Sequence, residues 1–428
     1  MVSLKHDLLS STIQPLFSIL KQQQFLIAYS GGLDSHVLLH MMSRLPNLQL
    51  RAIYIDHGLQ DASVWWGRHC RDVCTELNIP FEQVALNLQV PADQSVEAYA
   101  RDKRYQVFRE MLEPDEVLLT AHHQNDQAET LLIQLLRGAG SAGLAAMPMM
   151  ASFASGSHMR PLLNTSRDQL EQYATSHRLS YVEDTSNADT RYDRNYLRHN
   201  ILPQLHERWP GCYQTLSRAA LLQGETHRLL ESYVSQDLAS MAGSVEGTLS
   251  VASLVACEPV RRRALLRQWF TESGFMLPSA KKLQHIILDV LFSAEDAMPC
   301  VHWQGAEVRR FQGDIYVMLP LSAHDVAQVH YWDLDEVLAI DSLGLVLKPE
   351  HLGEAWLNKI EDDELNDGLT VRFRQGGEVM HPAGNHKAIP LKQLFQQFRV
   401  PPWLRTRIPL LYLGGELIMI YGLCQVEI

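Results

Sequence analysis

The feature that most constrains the fold of this chain is a loop at residues 30–35 with the sequence Ser-Gly-Gly-Leu-Asp-Ser. An apolar run at residues 25–29 precedes it and a helical pattern follows from His36, so the loop stands where a strand turns into a helix. Gly31 and Gly32 let the backbone approach an anion, and the helix start supplies unpaired N–H groups. This position predicts a phosphate-binding loop, and the alternative is a plain strand-to-helix turn.

The loop differs from the Walker type, because the chain contains no Gly-x4-Gly-Lys-Ser/Thr sequence. It carries an acidic residue, Asp34, instead of a lysine that would contact the phosphates. A carboxylate among phosphates usually holds Mg²⁺. We therefore predict that Asp34 binds the metal ion, and that a phosphate chain is bound by Ser30, Gly31, Gly32, Leu33 and Ser35.

Strand and helix patterns alternate from residue 25 to about residue 137, with strands predicted at residues 25–29, 50–55, 81–86 and 116–121. Such alternation predicts the α/β class, with a parallel, doubly wound sheet that helices cover on both faces. Ligands of these folds bind at the carboxyl ends of the strands. The loop, residues 56–58 and residues 122–123 all follow strands, so we expect them to meet at one edge.

The chain has 428 residues, which is too long for a single core. We predict an α/β domain at residues 1–208 and a mainly helical domain at residues 209–322 that ends in a hairpin turning at residues 312–314. Residues 323–368 are acidic and irregular, and they predict a solvated connector or the edge of a third domain. Strand-forming residues from Leu369 onward predict a small α+β domain at residues 369–428.

Composition predicts a cytoplasmic enzyme that does not bind a membrane, since no apolar run reaches the ~18 residues that span a bilayer. The six cysteines include no Cys-x2-Cys pair, which argues against zinc and iron–sulfur sites. Cys70 and Cys74, four residues apart, predict one buried helix face. A net charge of −12 means that a nucleic-acid partner must be bound by local basic patches.

Three charged residues, Glu97, Arg101 and Arg104, share one face of a helix predicted at residues 94–112. A pair of arginines suits the phosphates of a nucleotide or the charge that develops in a transition state. A solvated Glu–Arg ladder explains the pattern equally well.

Two further clusters are candidate functional groups. If a helix starts near His122, then His122, Asp126 and Glu129 share one of its faces. A histidine and two carboxylates at this spacing suit a metal ion or an amine. Alternatively, Asp126 interacts with the helix dipole in the first turn and His122 is an ordinary loop histidine. Arg191, Arg194 and Arg198 fall on one helical face beside Asn195, with tyrosines between them. That cluster suits contacts with phosphates and bases, or a charged helix between domains.

The loop resembles that of the N-type ATP pyrophosphatases, and the full set of motifs resembles the tRNA(Ile)-lysidine synthase family. The motifs lie at residues 30–35, 56–59, 97–105, 121–130, 160–163, 184–187 and 194–195, and in the tail at residues 371–378, 391–394 and 400–409. The likeness covers nearly the whole chain. One position departs from it: Asn125 stands where the family often has an aspartate, which argues against a metal-binding role there.

The resemblance implies an ATP-dependent ligase that modifies the wobble cytidine of the isoleucine tRNA with a CAU anticodon. ATP adenylates the C2 oxygen of the base, free L-lysine attacks C2 through its ε-amine, and AMP leaves. In this scheme residues 1–208 bind ATP with Mg²⁺, and Arg101 or Arg104 contacts the α-phosphate. Asp126, helped by Glu129 or His122, would bind the lysine ammonium and take its proton.

Basic residues, together with Asn195, are the candidates for binding the tRNA. The basic ones are Arg194 and Arg198 in the first domain, and Arg372, Arg374, Lys392 and Arg405 in the tail. Competing hypotheses are another tRNA-modifying enzyme of the same superfamily and a non-catalytic ATP-binding module. A homodimer is compatible with the sequence, which leaves the oligomeric state open.

Overall fold

The computed structural model describes residues 12, 16, 24–58, 63–91, 95–184, 188–294, 297–334, 336–353, 356–357, 369–384 and 387–426. The chain divides into two compact units, residues 1–233 and residues 234–428. No helix among the described residues is long and apolar enough to cross a membrane.

The first unit is built on a six-stranded sheet with the strand order β3-β2-β1-β4-β6-β5. Its strands are β1 (Gln24–Ala28), β2 (Gln49–Asp56), β3 (Phe81–Ala85), β4 (Val117–Leu119), β5 (Met150–Phe153) and β6 (Gly156–Met159). Its helices are α1 (Leu33–Ser43), α2 (Ser63–Glu76), α3 (Val96–Met111), α4 (Gln124–Leu136), α5 (Ser141–Leu144), α6 (Arg167–Ser176), α7 (Asp193–Tyr196) and α8 (Leu202–Arg208), followed by α9 (Cys212–Ala239), which begins in the first unit and ends in the second. Between α7 and α8, Leu197–Ile201 forms a π-helix.

All pairings in this sheet are parallel except that of β5 with β6, which confirms the predicted α/β class. From β1 the chain builds outward through β2 and β3, then returns to place β4 on the other side of β1. The loops after β1 and β4 therefore diverge at a switch point of the topology. Such a crevice is where sheets of this kind bind their ligands.

Alternate residues of β1 belong to different cores, which shows that the sheet is covered on both faces. Phe25 and Ile27 pack with Val37 of α1 in one cluster. Leu26 packs with Phe108 of α3 in another. Side chains of a strand alternate between faces, so this division is the packing expected for a doubly wound sheet. Cys70 and Cys74 are both fully buried in the first cluster.

The second unit contains several small sheets and short helices. Its strands are β7 (Leu249–Ser250), β8 (Cys300–Trp303), β9 (Ala306–Phe311), β10 (Asp314–Met318), β11 (His330–Trp332), β12 (Leu338–Ile340), β13 (Leu345–Leu347), β14 (Leu369–Arg372), β15 (Val379–Met380), β16 (Ile389–Pro390), β17 (Leu410–Leu413), β18 (Glu416–Ile420) and β19 (Cys424–Gln425). Its helices are α10 (Val251–Ala256), α11 (Pro259–Glu272), α12 (Ala280–His285) and α13 (Leu391–Gln397), with a π-helix at Ile286–Leu291.

The hairpin of β9 and β10 turns at Gln312 and Gly313, as predicted. Asp314 pairs with Phe311, which leaves a two-residue loop. Both loop residues have positive φ, 47° and 87°, the backbone of the tight turn that matches the twist of a hairpin.

Residues 325–353 are more ordered than their acidic composition predicts. They contribute β11, β12 and β13, and their Trp332, Ile340 and Leu347 pack in one cluster with Val371 of β14. Apolar residues at strand spacing lie between the charged ones, and these residues fill the core. The acidic run at residues 361–364 lies outside the described residues, and the domain boundaries stay predictions.

Candidate active site at the carboxyl edge of the sheet

The glycine loop joins β1 to α1 and leaves the start of α1 open to an anion. Gly31 has φ +79°, and Gly32 is the residue preceding the helix, with no side chain of the described residues capping its first turn. Ser35 Oγ accepts a bond from Ser30 N at 3.2 Å and donates to Gly32 O at 3.0 Å. Uncapped N–H groups in the first turn are a ready site for phosphate. Leu33, in contrast, is buried and anchors the helix.

Asp34 is paired with an arginine that the sequence analysis missed. Arg167 Nη1 lies 2.7 Å from Asp34 Oδ1 and 2.9 Å from Oδ2. Burial raises the pKa of Asp34, while His123 and Arg167 oppose this increase. Arg167 lies 133 residues away in the chain and begins α6, so no local spacing could have connected it with the loop.

His123 connects the end of β4 with the end of β1. Its Nε2 lies 3.7 Å from Asp34 Oδ2 and 3.5 Å from Asp126 Oδ2. The residue caps α4: its backbone N–H donates to Asp126 Oδ2, and its Nδ1 accepts from Asn125 N. The helix thus begins at Gln124, and the expectation that it starts near His122 is wrong, because the capping box fixes its first turn.

Asp126 and Glu129 lie side by side on α4 and share arginine partners. Arg198 donates to Asp126 Oδ1 at 3.1 Å and to both oxygens of Glu129 at 2.7 and 3.0 Å. Arg194 Nε lies 3.3 Å from Glu129 Oε2. Burial acts to raise the pKa of Asp126, but His123, His122 and Arg194 outweigh it and lower that pKa to about 2. Burial raises the pKa of Glu129 against the opposing effect of Arg198.

The arginine segment divides into inward and outward residues. Arg194 and Arg198 reach α4, whereas Arg191 bonds Asp189 and its side chain is 85% exposed. The shared face predicted for all three is therefore wrong, because α7 begins only at Asp193. Asn195 donates from Nδ2 to Asp189 O at 3.0 Å, which ties the two parts of the segment together.

The two arginines of α3 differ in burial. Arg101 is exposed and lies 5.1 Å from the ring centre of Tyr105, on an open cavity of about 370 Å³ that Arg109 also lines. Arg104 is half-buried, and burial together with Arg101 and Arg194 lowers its pKa. Arg104 also contributes to the lowered pKa of His57, which follows β2. Arg101 in turn contributes to the lowered pKa values of His122 and His158, so both arginines act on groups at the carboxyl edge of the sheet.

His122 lies between β4 and α4, and its Nδ1 lies 2.8 Å from Thr120 Oγ1. Burial lowers the pKa of His122 to about 3, although Asp126 acts in the opposite direction. It therefore contributes a neutral imidazole at neutral pH.

The tail candidates belong to the second unit and have different surroundings. Arg372 donates to Thr370 Oγ1 and stacks 4.9 Å from the ring centre of Tyr412. Arg405 donates to Val400 O at 2.9 Å, and burial together with Arg374 lowers its pKa. Arg374 is half-buried and Lys392 is exposed.

Neither the glycine loop with Asp34 nor the group of His122, Asp126 and Glu129 forms a metal site by itself. Within the described ranges, no group of three or more His, Cys, Asp or Glu side chains could hold an ion. Asp34 nevertheless fits Mg²⁺, because that ion keeps several waters and takes its other ligands from substrate phosphates. Asn125 contributes its Oδ1 as an acceptor for Arg167 N at 3.2 Å.

Three family models match the chain. They are a PP-loop domain at residues 6–205, a TilS substrate binding domain at residues 249–316 and a TilS substrate C-terminal domain at residues 369–427.

Curated relatives are similar over almost the whole chain. A tRNA(Ile)-lysidine synthase of Coxiella burnetii is 41% identical over 96% of this chain and 91% of its own length. Those of Serratia proteamaculans and Photorhabdus laumondii are 39% and 38% identical, each over 94% of this chain and 91% and 90% of their own. On this coverage and identity, the chain belongs to the tRNA(Ile)-lysidine synthase family.

Proposed function

We propose that this protein ligates free L-lysine to C2 of the wobble cytidine, nucleotide 34, of the isoleucine tRNA with a CAU anticodon. ATP adenylates the C2 oxygen and pyrophosphate leaves; the lysine ε-amine then forms the C–N bond, and AMP leaves with that oxygen. The observation that carries the proposal is the position of His123, within 3.7 Å of Asp34 and 3.5 Å of Asp126. One site thus combines a phosphate loop with a second, acidic half.

In the first step, we assign the pyrophosphate end of ATP to the loop, where Ser30, Gly31, Gly32 and Ser35 surround the open start of α1. Asp34 would hold Mg²⁺, which supplies neutralising charge across the phosphates. Of the two arginines on α3, we favour Arg104 for the α-phosphate, because it is half-buried while Arg101 is exposed.

In the second step, the amine of lysine must lose its proton. With a pKa near ~10.4, only about one lysine in 2,500 is neutral at pH 7, a cost of roughly 4.6 kcal/mol. Asp126 is ionised at this pH and is our candidate for binding the ammonium and accepting its proton. Glu129 is held by Arg194 and Arg198, so we assign it to positioning those arginines.

The anticodon base is already single-stranded, so placing it in a pocket costs less than extracting it from a duplex. We propose that the anticodon loop is contacted by Arg194, Asn195 and Arg198. We propose that the rest of the tRNA is contacted by the tail residues Arg372, Arg374, Lys392 and Arg405.

We also propose that the enzyme acts in the cytoplasm. A homodimer is proposed as its oligomeric state, and light scattering would then give twice the chain mass.

The test is incubation of the protein with ATP, Mg²⁺, labelled lysine and a transcript of the isoleucine tRNA. Label in the tRNA, with AMP and pyrophosphate released, is the expected result, and a transcript with uridine at nucleotide 34 is the control. ATP binding without pyrophosphate release would instead identify a non-catalytic module. Pyrophosphate release that depends on tRNA but leaves lysine unused would point to another tRNA modification.

A variant locates the second half of the site. Asp126→Asn should abolish lysine transfer while ATP binding stays unchanged, because the change removes the carboxylate beside the amine. Arg191→Ala, at the exposed pair with Asp189, is the matched control. Normal lysine transfer in the Asp126 variant would show that another group takes the proton.

A further inference from the structure

A chain of three contacts runs from the sheet interior to His122. Arg160 Nη2 lies 3.2 Å from His158 Nδ1, His158 Nε2 lies 2.8 Å from Thr120 Oγ1, and Thr120 Oγ1 lies 2.8 Å from His122 Nδ1. Thr120, His158 and Arg160 are 6%, 3% and 8% exposed. These three side chains are therefore shielded from water, which could otherwise replace the hydrogen bonds between them.

The arginine sets the direction of the first two bonds in this chain. A guanidinium only donates, so His158 Nδ1 must accept from Arg160 and the proton of His158 is on Nε2. That N–H donates to Thr120 Oγ1. The hydroxyl oxygen could accept a second bond, but among the described residues His122 Nδ1 is the only acceptor within hydrogen-bond distance of the hydroxyl, so we assign the hydroxyl proton to it. Arg160 is held in place by a second nitrogen, Nη1, at 2.8 Å from Pro148 O.

Both histidines, His122 and His158, are neutral at pH 7. Burial lowers the pKa of His158 to about 3, with further effects of Arg160 and Arg101. Burial also lowers the pKa of His122 to about 3. The charged groups that act on His122 are Asp126, which favours protonation, and Arg160, Arg194 and Arg101, which oppose it. A neutral imidazole whose Nδ1 accepts carries its proton on Nε2.

We infer that Thr120, His158 and Arg160 hold His122 as the Nε2–H tautomer, so that His122 donates a hydrogen bond to a substrate oxygen. Within the described part of the chain, His122 Nε2 has no hydrogen-bond partner, so this donor is available to a ligand. The role rests on the proposed function for the identity of the substrate. The acceptor is an oxygen that carries negative charge during the reaction, on the phosphates of ATP or on the adenylated base.

This assignment changes the role of His122 in the second step. A histidine whose Nδ1 accepts from Thr120 and whose Nε2 is protonated has no lone pair to offer the lysine ammonium. Its contribution is that of a positioned neutral donor at a developing oxyanion, a contribution that is typically worth ~10²–10³ in rate. Proton acceptance is then left to Asp126, and Thr120, His158 and Arg160 are positioning residues.

The tautomer can be measured without substrate. Long-range ¹H–¹⁵N spectra of the full chain, labelled with ¹⁵N-histidine, distinguish the Nε2–H form from the Nδ1–H form and from imidazolium. The signal of His122 is assigned by its loss in His122→Gln. We expect the Nε2–H pattern for His122 at pH 7, and either of the other two patterns would overturn the inference.

Two pairs of variants test the consequence for catalysis. Thr120→Ser keeps the hydroxyl and should retain the tautomer and most of kcat, whereas Thr120→Val should lose both, with kcat lowered about 10–100-fold. His122→Gln keeps a donor near the Nε2 position and should be at least tenfold more active than His122→Ala. Equal losses in the two members of either pair would contradict the inference.

Two further comparisons identify which oxygen accepts the bond from His122, and they distinguish a failure of this inference from a failure of the proposed function. If the acceptor is on ATP, His122→Ala weakens ATP binding without tRNA; if it is on the base, the loss appears only in lysine transfer. If the Nε2–H pattern is present but no lysine enters tRNA, the proposed function fails while the tautomer stands. Should Thr120→Val fail to fold, the spectrum of the unaltered protein and the His122 pair still decide.

Discussion

Glu129 and Arg198 are 69 residues apart in the chain, and the carboxylate of Glu129 lies 2.7 and 3.0 Å from two guanidinium nitrogens of Arg198. Glu129 is completely buried. Removing one member of a buried pair leaves an uncompensated charge, which costs about 3–5 kcal/mol. This contact therefore fixes the segment after α7 against α4.

Arg198→Met should accordingly lower the stability of the first unit by about 3 kcal/mol, because only Arg194 would remain beside Glu129. The double variant Glu129→Gln with Arg198→Met should recover most of that loss. Thermal unfolding measures both. Arg191→Met, at an exposed pair, should leave the unfolding temperature nearly unchanged. Equal effects at positions 191 and 198 would show that the buried pair has no special importance.

The two glycines of the loop should respond differently to alanine. A Cβ on Gly31 would lie 2.9 Å from Cys70 Sγ, and the residue has φ +79°, so Gly31→Ala should displace the loop and weaken ATP binding at least tenfold. On Gly32 a Cβ would meet nothing closer than 3.6 Å at an ordinary φ, so Gly32→Ala should fold normally. Thermal unfolding compares the two variants, and titration with ATP measures the loss at Gly31. Equal stability of both variants would contradict the loop geometry.

Arg167 occupies both oxygens of Asp34, where Mg²⁺ would bind. Arg167→Ala should therefore strengthen binding of Mg²⁺ alone and weaken binding of ATP, since the guanidinium competes with the cation but attracts the phosphates. Calorimetry with each ligand separately gives both affinities. Arg71→Ala, a surface change on α2, is the control. If both affinities fell together, Arg167 would have only a structural role.

The sequence predicted the sheet well, because the signal for it is local. The strand predicted at residues 25–29 is present within one residue. The helix predicted from His36 begins three residues earlier, at Leu33, because Gly32 precedes its first turn. The partners of the site were not predicted, because they come from distant segments. Arg167 joins Asp34 across 133 residues, and His158 lies in a short strand between β4 and β5 whose sequence, Gly-Ser-His-Met, has no strand pattern.

Folding of the first unit should become less favourable as the pH falls from 7 toward 5. Burial lowers the pKa of His36 to about 4 and that of His158 to about 3. In the unfolded chain these groups take up a proton near pH ~6.5, so their stabilising effect is complete above that value and is lost below it. Each histidine should contribute on the order of 1–2 kcal/mol between pH 7 and 5.

His36→Asn should reduce this pH dependence by the share of one histidine. Urea unfolding at pH 7.0 and 5.5 measures it as the difference between the two midpoints. His302→Asn, a change at an exposed strand residue, is the control. An unchanged difference in the His36 variant would mean that His36 does not resist protonation in the folded protein.

Lys392 is the clearest test of tRNA contact in the tail, because it is exposed while Arg405 is engaged with a backbone carbonyl. Lys392→Glu should weaken tRNA binding several-fold at low salt without lowering stability. Each lost phosphate contact should also reduce the slope of log affinity against log salt by about 0.7–0.9. Filter binding at 50–200 mM salt gives the slope, and Lys348→Glu is the matched charge reversal, at an exposed lysine paired with Glu350. The protein is acidic overall, so a nonspecific charge effect would appear equally in both variants. An unchanged slope in the Lys392 variant would remove this residue from the tRNA interface.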